Sequence, residues 1–175
     1  MLIKLDHGDN KIMWIKLDQG MQMVARLLAE QRFANNRLCQ VVNKRIGSQS
    51  DALTDLDGIG GELAFCYLVN AWPDLSVHPR RGGYDCITPR GHRVDVKTSM
   101  HESAQLIATL GKRIGDADAY ALMVGTFPVY RCAGWAWASD LLNPENVTDL
   151  GYGPTYAMPQ DKLNPIETRQ EEMTK

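Results

Sequence analysis

The sequence lacks the features that mark membrane-spanning, secreted and zinc-binding proteins. No apolar run approaches the length needed to cross a bilayer, and the N-terminal MLIKLDHGDN lacks the basic-then-apolar order of a secretory signal. The four cysteines, Cys39, Cys66, Cys86 and Cys132, form no Cys-x-x-Cys pair and have no histidines at zinc-ligand spacing. We therefore expect a cytoplasmic protein with free thiols, three of which lie in apolar surroundings and are buried.

Net charge is also small, at −2 for 175 residues, which argues against a protein that coats nucleic acid. The charge is unevenly spread, because segment 78–113 has four more basic than acidic residues. Its basic residues are Arg80, Arg81, Arg90, Arg93, Lys97, Lys112 and Arg113. A local basic patch suits a directed contact with phosphate, although a solvated charged face is the simpler interpretation.

The length and a hydrophobic content of 44% predict one compact domain without repeats. We divide it into an accessory N-terminal part (1–50), a core (51–142) and a C-terminal segment (143–175) that wraps over the surface. Within the accessory part, residues 2–18 alternate around a turn and predict a hairpin. Helical spacing of apolar residues predicts a helix over 21–46 with a solvated basic face that includes Arg26, Arg32 and Arg37.

The core is predicted to alternate strands with one buried helix. Segment 47–55 is a linker, and the helix begins where Asp55 or Asp57 can cap it. Glu62 is the one acid in an otherwise apolar run of this helix, GELAFCYLV. Strands are predicted at 75–77, 83–88, 92–98, 118–125 and 129–138. Segment 104–110 fits a helical turn or a short strand, and we favour the helix.

Two acidic residues face each other across the predicted hairpin at 83–98. A Pro-Arg-Gly loop pairs Thr88 with His92, which places Asp85 opposite Asp95. Lys97 shares the face of Asp95 because side chains alternate along a strand. The opposite face carries core residues, namely Tyr84, Cys86, Val94 and Val96.

Opposed carboxylates need a compensating positive charge. At a ~4 Å separation and an effective dielectric of about 20, they repel by roughly 4 kcal/mol. Mg²⁺ or Mn²⁺ bound by carboxylate oxygens relieves this directly. The alternative is a pair of exposed acids neutralised by Arg93 and Lys97. Glu62 favours the metal site, since an unpaired carboxylate on a buried helix is costly.

Three motifs over residues 55–125 together resemble the PD-(D/E)XK nuclease superfamily. They are Gly-Glu-Leu-Ala on a helix, Tyr-Asp on one strand and Asp-Val-Lys on the next. Tyr84 stands where that superfamily often has proline. The resemblance implies an α/β fold with a restriction-endonuclease-like αβββαβ core, in which helices flank a central mixed sheet. Segment 135–165 is similar to small phage-type members.

The resemblance also implies roles for individual residues. Glu62, Asp85, Asp95 and Lys97 would be catalytic, and the metal ligands would be Glu62, Asp85, Asp95 and the carbonyl of Val96. Lys97 would orient the attacking water or stabilise charge on the phosphate. Candidates for nucleic-acid contact are Arg80, Arg81, Arg90, Arg93, Thr98 and Ser99. The implied activity is Mg²⁺- or Mn²⁺-dependent hydrolysis of phosphodiester bonds in DNA, without a membrane partner.

A non-catalytic nucleic-acid-binding or interaction module that keeps the fold is the alternative function. Retention of all four motif residues disfavours it, because a decayed site usually loses the lysine or an acid first. RNA and branched DNA stay open as substrates, as do single and double strands, and endo- and exonucleolytic cleavage. Some superfamily members act as dimers, which leaves a homodimer open.

Overall fold

The computed structural model describes residues 2–7, 10–39, 51–77 and 83–166, which form a mixed α/β fold. The strands are β1 (Leu2–His7), β2 (Asn10–Lys16), β3 (Trp72–Pro73), β4 (Cys86–Ile87), β5 (Arg93–Ser99), β6 (Leu106–Thr109), β7 (Ala119–Thr126), β8 (Val129–Trp137), β9 (Val147–Asp149) and β10 (Pro154–Met158). The helices are α1 (Gln19–Leu38), α2 (Asp51–Val69) and the short α3 (Ala138–Leu141). None of the helices in these ranges combines the length and hydrophobicity needed to span a bilayer.

Seven strands form one mixed sheet in the order β1-β2-β8-β7-β5-β4-β3. Strands β3, β4 and β5 are antiparallel, β5 and β7 are parallel, and β7 and β8 are antiparallel. The predicted strands at 92–98, 118–125 and 129–138 are confirmed. The predicted strand at 83–88 is reduced to the two residues of β4. The strand predicted at 75–77 is wrong, because the pairing with β4 is made by β3 just before it.

The predicted N-terminal hairpin is confirmed, and its strand β2 pairs with β8 to extend the large sheet. Helix α1 begins after Asp18, whose carboxylate accepts a hydrogen bond from the N–H of Met21 at 2.9 Å. The helix ends at Leu38 with Cys39 as its C-cap, so it is shorter than predicted at that point, and residues 40–46 of the predicted helix lie outside the described residues.

Helix α2 begins earlier than the sequence pattern indicates. It already includes Asp51, so the predicted linker is wrong over 51–55, while 47–50 lies outside the described residues. Asp55 and Asp57 therefore lie within the helix and do not cap it. Asp57 instead accepts a hydrogen bond from the N–H of Phe127 at 2.8 Å, in the turn between β7 and β8. Asp57, predicted as a helix cap, thus holds the β7–β8 turn against α2.

The two faces of the large sheet are covered differently. On one face, α2 packs against β5 and β7, and α1 packs against α2. Gly60 and Gly61 permit this close approach. A Cβ atom at Gly60 would clash with the hydroxyl of Tyr130, and one at Gly61 would clash with the hydroxyl of Thr98. On the other face, Tyr120, Leu122 and Val124 of β7 pack against apolar residues of β6, α3 and β10. Strand β7 is apolar because it is buried on both faces.

A three-stranded sheet, β6-β10-β9, covers this second face. The helix favoured for 104–110 is therefore wrong over residues 106–109, which form β6. Burial alternates along β6, with Leu106 and Ala108 buried. A segment of four residues is too short for its apolar pattern to distinguish a strand from a helical turn. The C-terminal segment is more than a surface wrap, because β10 buries Ala157 and Met158. Among the described residues, the long helices lie on one face of the sheet only.

Candidate functional site

The hairpin that joins β4 to β5 has the predicted turn, and its register is as predicted as far as Cys86 and Val94, whereas the predicted pairing of Asp85 directly opposite Asp95 is not formed. The N–H of Thr88 donates to the carbonyl of His92 at 2.8 Å, and the N–H of Gly91 donates to the carbonyl of Thr88 at 2.9 Å. Gly91 has a φ of 86°, the left-handed conformation that closes such a loop. Cys86 pairs with Val94, as the predicted register requires.

Asp85 lies where β4 breaks away from β5. Its N–H donates to the carbonyl of Val94 at 2.7 Å, although Val94 already pairs with Cys86. Two residues thus oppose one, which is the geometry of a β-bulge. The Asp85 carboxylate then accepts a hydrogen bond from the N–H of Val96 at 2.6 Å. The side chain therefore takes the place of a strand residue as a partner for the backbone of β5, and only 6% of the Asp85 residue is exposed.

Asp95 is the most enclosed acid of the site, with 3% of its surface exposed. The Nζ atom of Lys97 lies 2.5 Å from its Oδ1 atom, which confirms that the two side chains share a face. The Nζ atom of Lys112 lies 2.7 Å from its Oδ2 atom and 3.3 Å from the carbonyl oxygen of Gly83. Both oxygens of a buried carboxylate are thus paired with ammonium groups, as burial of a charge requires.

Lys112 is the residue that sequence reasoning missed. We counted it only as part of the basic patch, because it lies in the loop between β6 and β7, well away from the hairpin motif. No periodicity connects it to Asp95. The available signal was the basic patch itself, which indicated charge near the hairpin without indicating which lysine reaches the acid.

Tyr120 is the neighbour of Asp95 on β7. Its hydroxyl is buried and has no hydrogen-bond partner among the described residues. Burial raises the pKa of Tyr120, and the negative charge of Asp95 raises it further. The hydroxyl therefore stays protonated at neutral pH.

Glu62 is held by α1 on the helical face of the sheet. Its Oε2 atom lies 3.1 Å from the Nη1 atom of Arg32, and 11% and 15% of the arginine and glutamate side chains are exposed. Arg32 also donates to the carbonyls of Asp74 at 2.6 Å and Ser76 at 3.1 Å. The prediction that Arg32 belongs to a solvated helix face is therefore wrong, because it joins both helices to the loop after β3.

Two buried thiols lie near the acids. Cys66, one turn after Glu62 on α2, has a raised pKa because of its hydrogen bond with Cys86 and its burial. The negative charges of Glu62 and Asp85 raise the same pKa further. All four cysteines are free, with Cys66 and Cys86 buried, Cys132 half-buried and Cys39 exposed.

Arg93 is engaged in an ion pair. Its Nη2 atom lies 2.8 Å from Oδ1 of Asp118, its Nε donates to Oδ2 at 3.2 Å, and its Nη1 donates to the carbonyl of Gly115 at 3.0 Å. The hydrogen bonds that the side chain of Arg93 donates to Asp118, together with one from the backbone N–H of Arg93 at 2.8 Å, lower the pKa of Asp118 to about 2. The Arg93 guanidinium also lies 5.8 Å from the ring of Tyr84. Tyr84 was predicted to face the core and is 37% exposed, because the chain leaves the sheet at the bulge that follows it.

The other predicted nucleic-acid contacts are dispersed. Arg90 is exposed in the hairpin turn. The hydroxyl of Thr98 is buried against α2, and the Oγ atom of Ser99 accepts a hydrogen bond from the N–H of His101 at 3.2 Å. Arg80 and Arg81 lie outside the described residues.

Asp85 and Asp95 are the described residues that could hold a divalent cation. The described part of the chain contains no group of three or more His, Cys, Asp or Glu side chains that could hold a metal ion. Mg²⁺ is commonly held through only one or two carboxylates, while waters and substrate phosphates complete its shell. The buried carboxylates of Asp85 and Asp95, either side of the break between β4 and β5, match that donor chemistry. Glu62 belongs to α2, which packs on the face of β5 that carries Val94 and Val96, whereas Asp95 and Lys97 point to the opposite face. The structure therefore does not bring Glu62 together with Asp95 and Lys97 as predicted, and its role as a metal ligand stays a prediction.

Comparison with known proteins adds no assignment. No protein-family model matches the chain, and no curated protein matches it.

Proposed function

We propose that the protein is a Mg²⁺- or Mn²⁺-dependent nuclease of the PD-(D/E)XK superfamily that hydrolyses phosphodiester bonds in DNA. One observation carries the proposal. Two acids, Asp85 and Asp95, are buried at the break between β4 and β5, and Lys97 lies against the second acid. Burying two carboxylates at one strand junction is costly for a purely structural hairpin, whereas it is the arrangement that a cation site needs.

The order of elements supports the same proposal in part. Helix α2, the antiparallel strands β3, β4 and β5, and the later strand β7 follow the αβββ-then-β order of the restriction-endonuclease-like core. The position of the second helix is taken by β6. The superfamily assignment therefore rests on the site and on the strand order more than on the helices.

The proposed mechanism assigns each residue a task. Asp85 and Asp95 would hold the ion, and a bound dication supplies polarisation of the phosphate and a lowered pKa for a water. Lys97 and Lys112 each hold one oxygen of Asp95. If Asp95 held the ion, the ammonium groups of Lys97 and Lys112 would be left to stabilise the negative charge that develops on the phosphate. Lys97, adjacent in register to the acid, would also position the attacking water.

A second candidate function is a non-catalytic nucleic-acid-binding or interaction module. The pairing of both Asp95 oxygens with lysines and of Glu62 with Arg32 favours it, since these ion pairs neutralise the acids without a metal. In that case the cluster would be structural, and Lys97 would have no reacting group to serve.

Nuclease assays with matched variants separate the two functions. The protein with Mg²⁺ or Mn²⁺ should cleave DNA, EDTA should stop cleavage, and Asp95→Asn and Lys97→Met should each lower the rate by about 100-fold or more. Asp161→Asn and Lys162→Met, exposed residues beyond β10, are the matched controls and should cleave like the parent. If the Asp95 and Lys97 variants fold and cleave like these controls, the nuclease proposal is wrong.

The substrate is best determined with a panel of nucleic acids. Linear, circular, single-stranded and branched DNA should be compared with RNA at one protein concentration. We expect DNA to be cleaved in preference to RNA, and cleavage of closed circles would identify an endonuclease.

A further inference from the structure

A cavity of about 580 Å³ lies on the α2 face of the large sheet, next to the tip of the β4–β5 hairpin. Asp95 and Lys97 do not line it, and they lie on the other face of β5, whereas Val94 lines it. Its volume falls in the range of sites that hold small ligands. Its lining includes Phe65 and Leu68 of α2, Arg90 and His92 of the hairpin, and Trp135 and Trp137 of β8.

An aromatic cluster forms one wall of this cavity. The rings of Trp135 and Trp137 are edge-to-face with centroids 4.9 Å apart, and those of His92 and Trp137 are edge-to-face at 5.1 Å. The indole N–H of Trp135 donates to the carbonyl of Pro165 at 3.2 Å, which anchors that ring. Trp137 remains 38% exposed. The wall is thus a fixed aromatic surface with one ring available to a ligand.

The charge of the lining indicates the kind of ligand. Arg90 is exposed at the cavity and supplies a positive charge. No Asp or Glu occurs among the described residues that line the cavity. An aromatic wall with a cation and without acids is complementary to a planar ring that carries an anionic group.

We propose that this cavity binds one unpaired nucleotide of a nucleic-acid strand, with the base against Trp137 and a phosphate on Arg90. Bases stack on aromatic side chains irrespective of sequence. A paired base is stacked within its duplex and cannot enter a cavity without being extruded, so the site favours single-stranded DNA. The choice of nucleic acid as the ligand rests on the proposed function, in which the cavity holds part of the substrate strand away from the cleavage site.

Tryptophan fluorescence tests the proposal in EDTA, where metal-dependent cleavage does not occur. A ten-residue oligodeoxythymidylate should quench the emission of the full chain, and a duplex of the same length should bind at least about tenfold more weakly. Trp137→Leu and Arg90→Ser should each weaken single-strand binding by about tenfold, as expected for loss of a stacking partner or a phosphate contact. Anisotropy of a labelled oligonucleotide gives affinities that do not depend on which tryptophan is removed.

The controls are residues of the same types away from the cavity. Trp72→Leu, at a site 78% exposed, and Arg37→Ser on α1 should bind like the parent. Arg90 is in an exposed turn, so its variant keeps the test decisive even if the Trp137 variant does not fold.

Each remaining outcome overturns the proposal. These outcomes are parental binding by the Arg90 variant, equal binding of duplex and single strand, or absence of binding. Parental binding by a folded Trp137 variant does the same. The two proposals fail separately. Metal-dependent cleavage without single-strand binding at the cavity would refute the cavity proposal alone, whereas single-strand binding without any cleavage would refute the nuclease proposal alone.

Discussion

Removing Lys112 tests how the buried carboxylate of Asp95 is stabilised. The Lys112→Met variant keeps most of the side-chain volume and deletes the ammonium group that lies 2.7 Å from Oδ2 of Asp95. At that distance and an effective dielectric of about 20, the gross attraction is roughly 6 kcal/mol, most of which is offset by desolvation. Breaking a buried pair costs about 3–5 kcal/mol, and Lys97 still holds the other oxygen, so we expect a loss of about 2 kcal/mol.

Urea denaturation of four proteins measures this interaction as a double-mutant cycle. They are the parent, Lys112→Met, Asp95→Asn and the double variant. In the Asp95→Asn background, the loss on removing Lys112 should fall below about 0.5 kcal/mol, because the charge that the lysine neutralised is gone. An equal loss in both backgrounds would refute the reasoning, since it would show that Lys112 acts through packing.

The same variant reports on cation binding. Without Lys112, the Oδ2 atom of Asp95 is open to another cation, so millimolar Mn²⁺ should raise the melting temperature of Lys112→Met more than that of the parent. Equal shifts for parent and variant would show that Lys112 and the ion do not compete for Asp95.

Two further predictions concern packing and pH. Gly61→Ala should destabilise the fold by about 2 kcal/mol, because its Cβ would clash with Thr98. The control Gly58→Ala, in the same helix, adds a Cβ that meets no atom within 4 Å and should stabilise the fold by up to about 1 kcal/mol. Equal melting temperatures for the two variants would contradict this prediction. The carboxyl of Asp118 should titrate by NMR with a pKa of about 2, and Arg93→Gln should move that pKa toward 3.8. Because the pKa of Asp118 is lowered in the folded state, the stability that Asp118 contributes is present above pH 3.8 and is lost as the pH falls through about 2. An unchanged Asp118 pKa in Arg93→Gln would show that Arg93 is not the cause.

The sequence by itself determined the hairpin and the pairing of one acid with one lysine. The loop between Thr88 and His92 is specified by residues within it, because proline and Gly91 restrict the backbone of their own turn. Once that turn is known, the two-residue period of a strand places Lys97 beside Asp95 without further information. These features depend on neighbours in the chain, which is why local patterns predict them.

Only the tertiary structure decided which distant groups complete the site. Lys112 reaches Asp95 from another loop, and Arg32 reaches Glu62 from another helix, and neither partnership has a spacing that a sequence pattern can express. The choice of strand for β6 was also made at a distance, by pairing with β10 near the end of the described chain. The physical reason is the same in each case: a buried charge or an unpaired backbone must find a partner wherever packing brings one, and packing is a property of the whole fold.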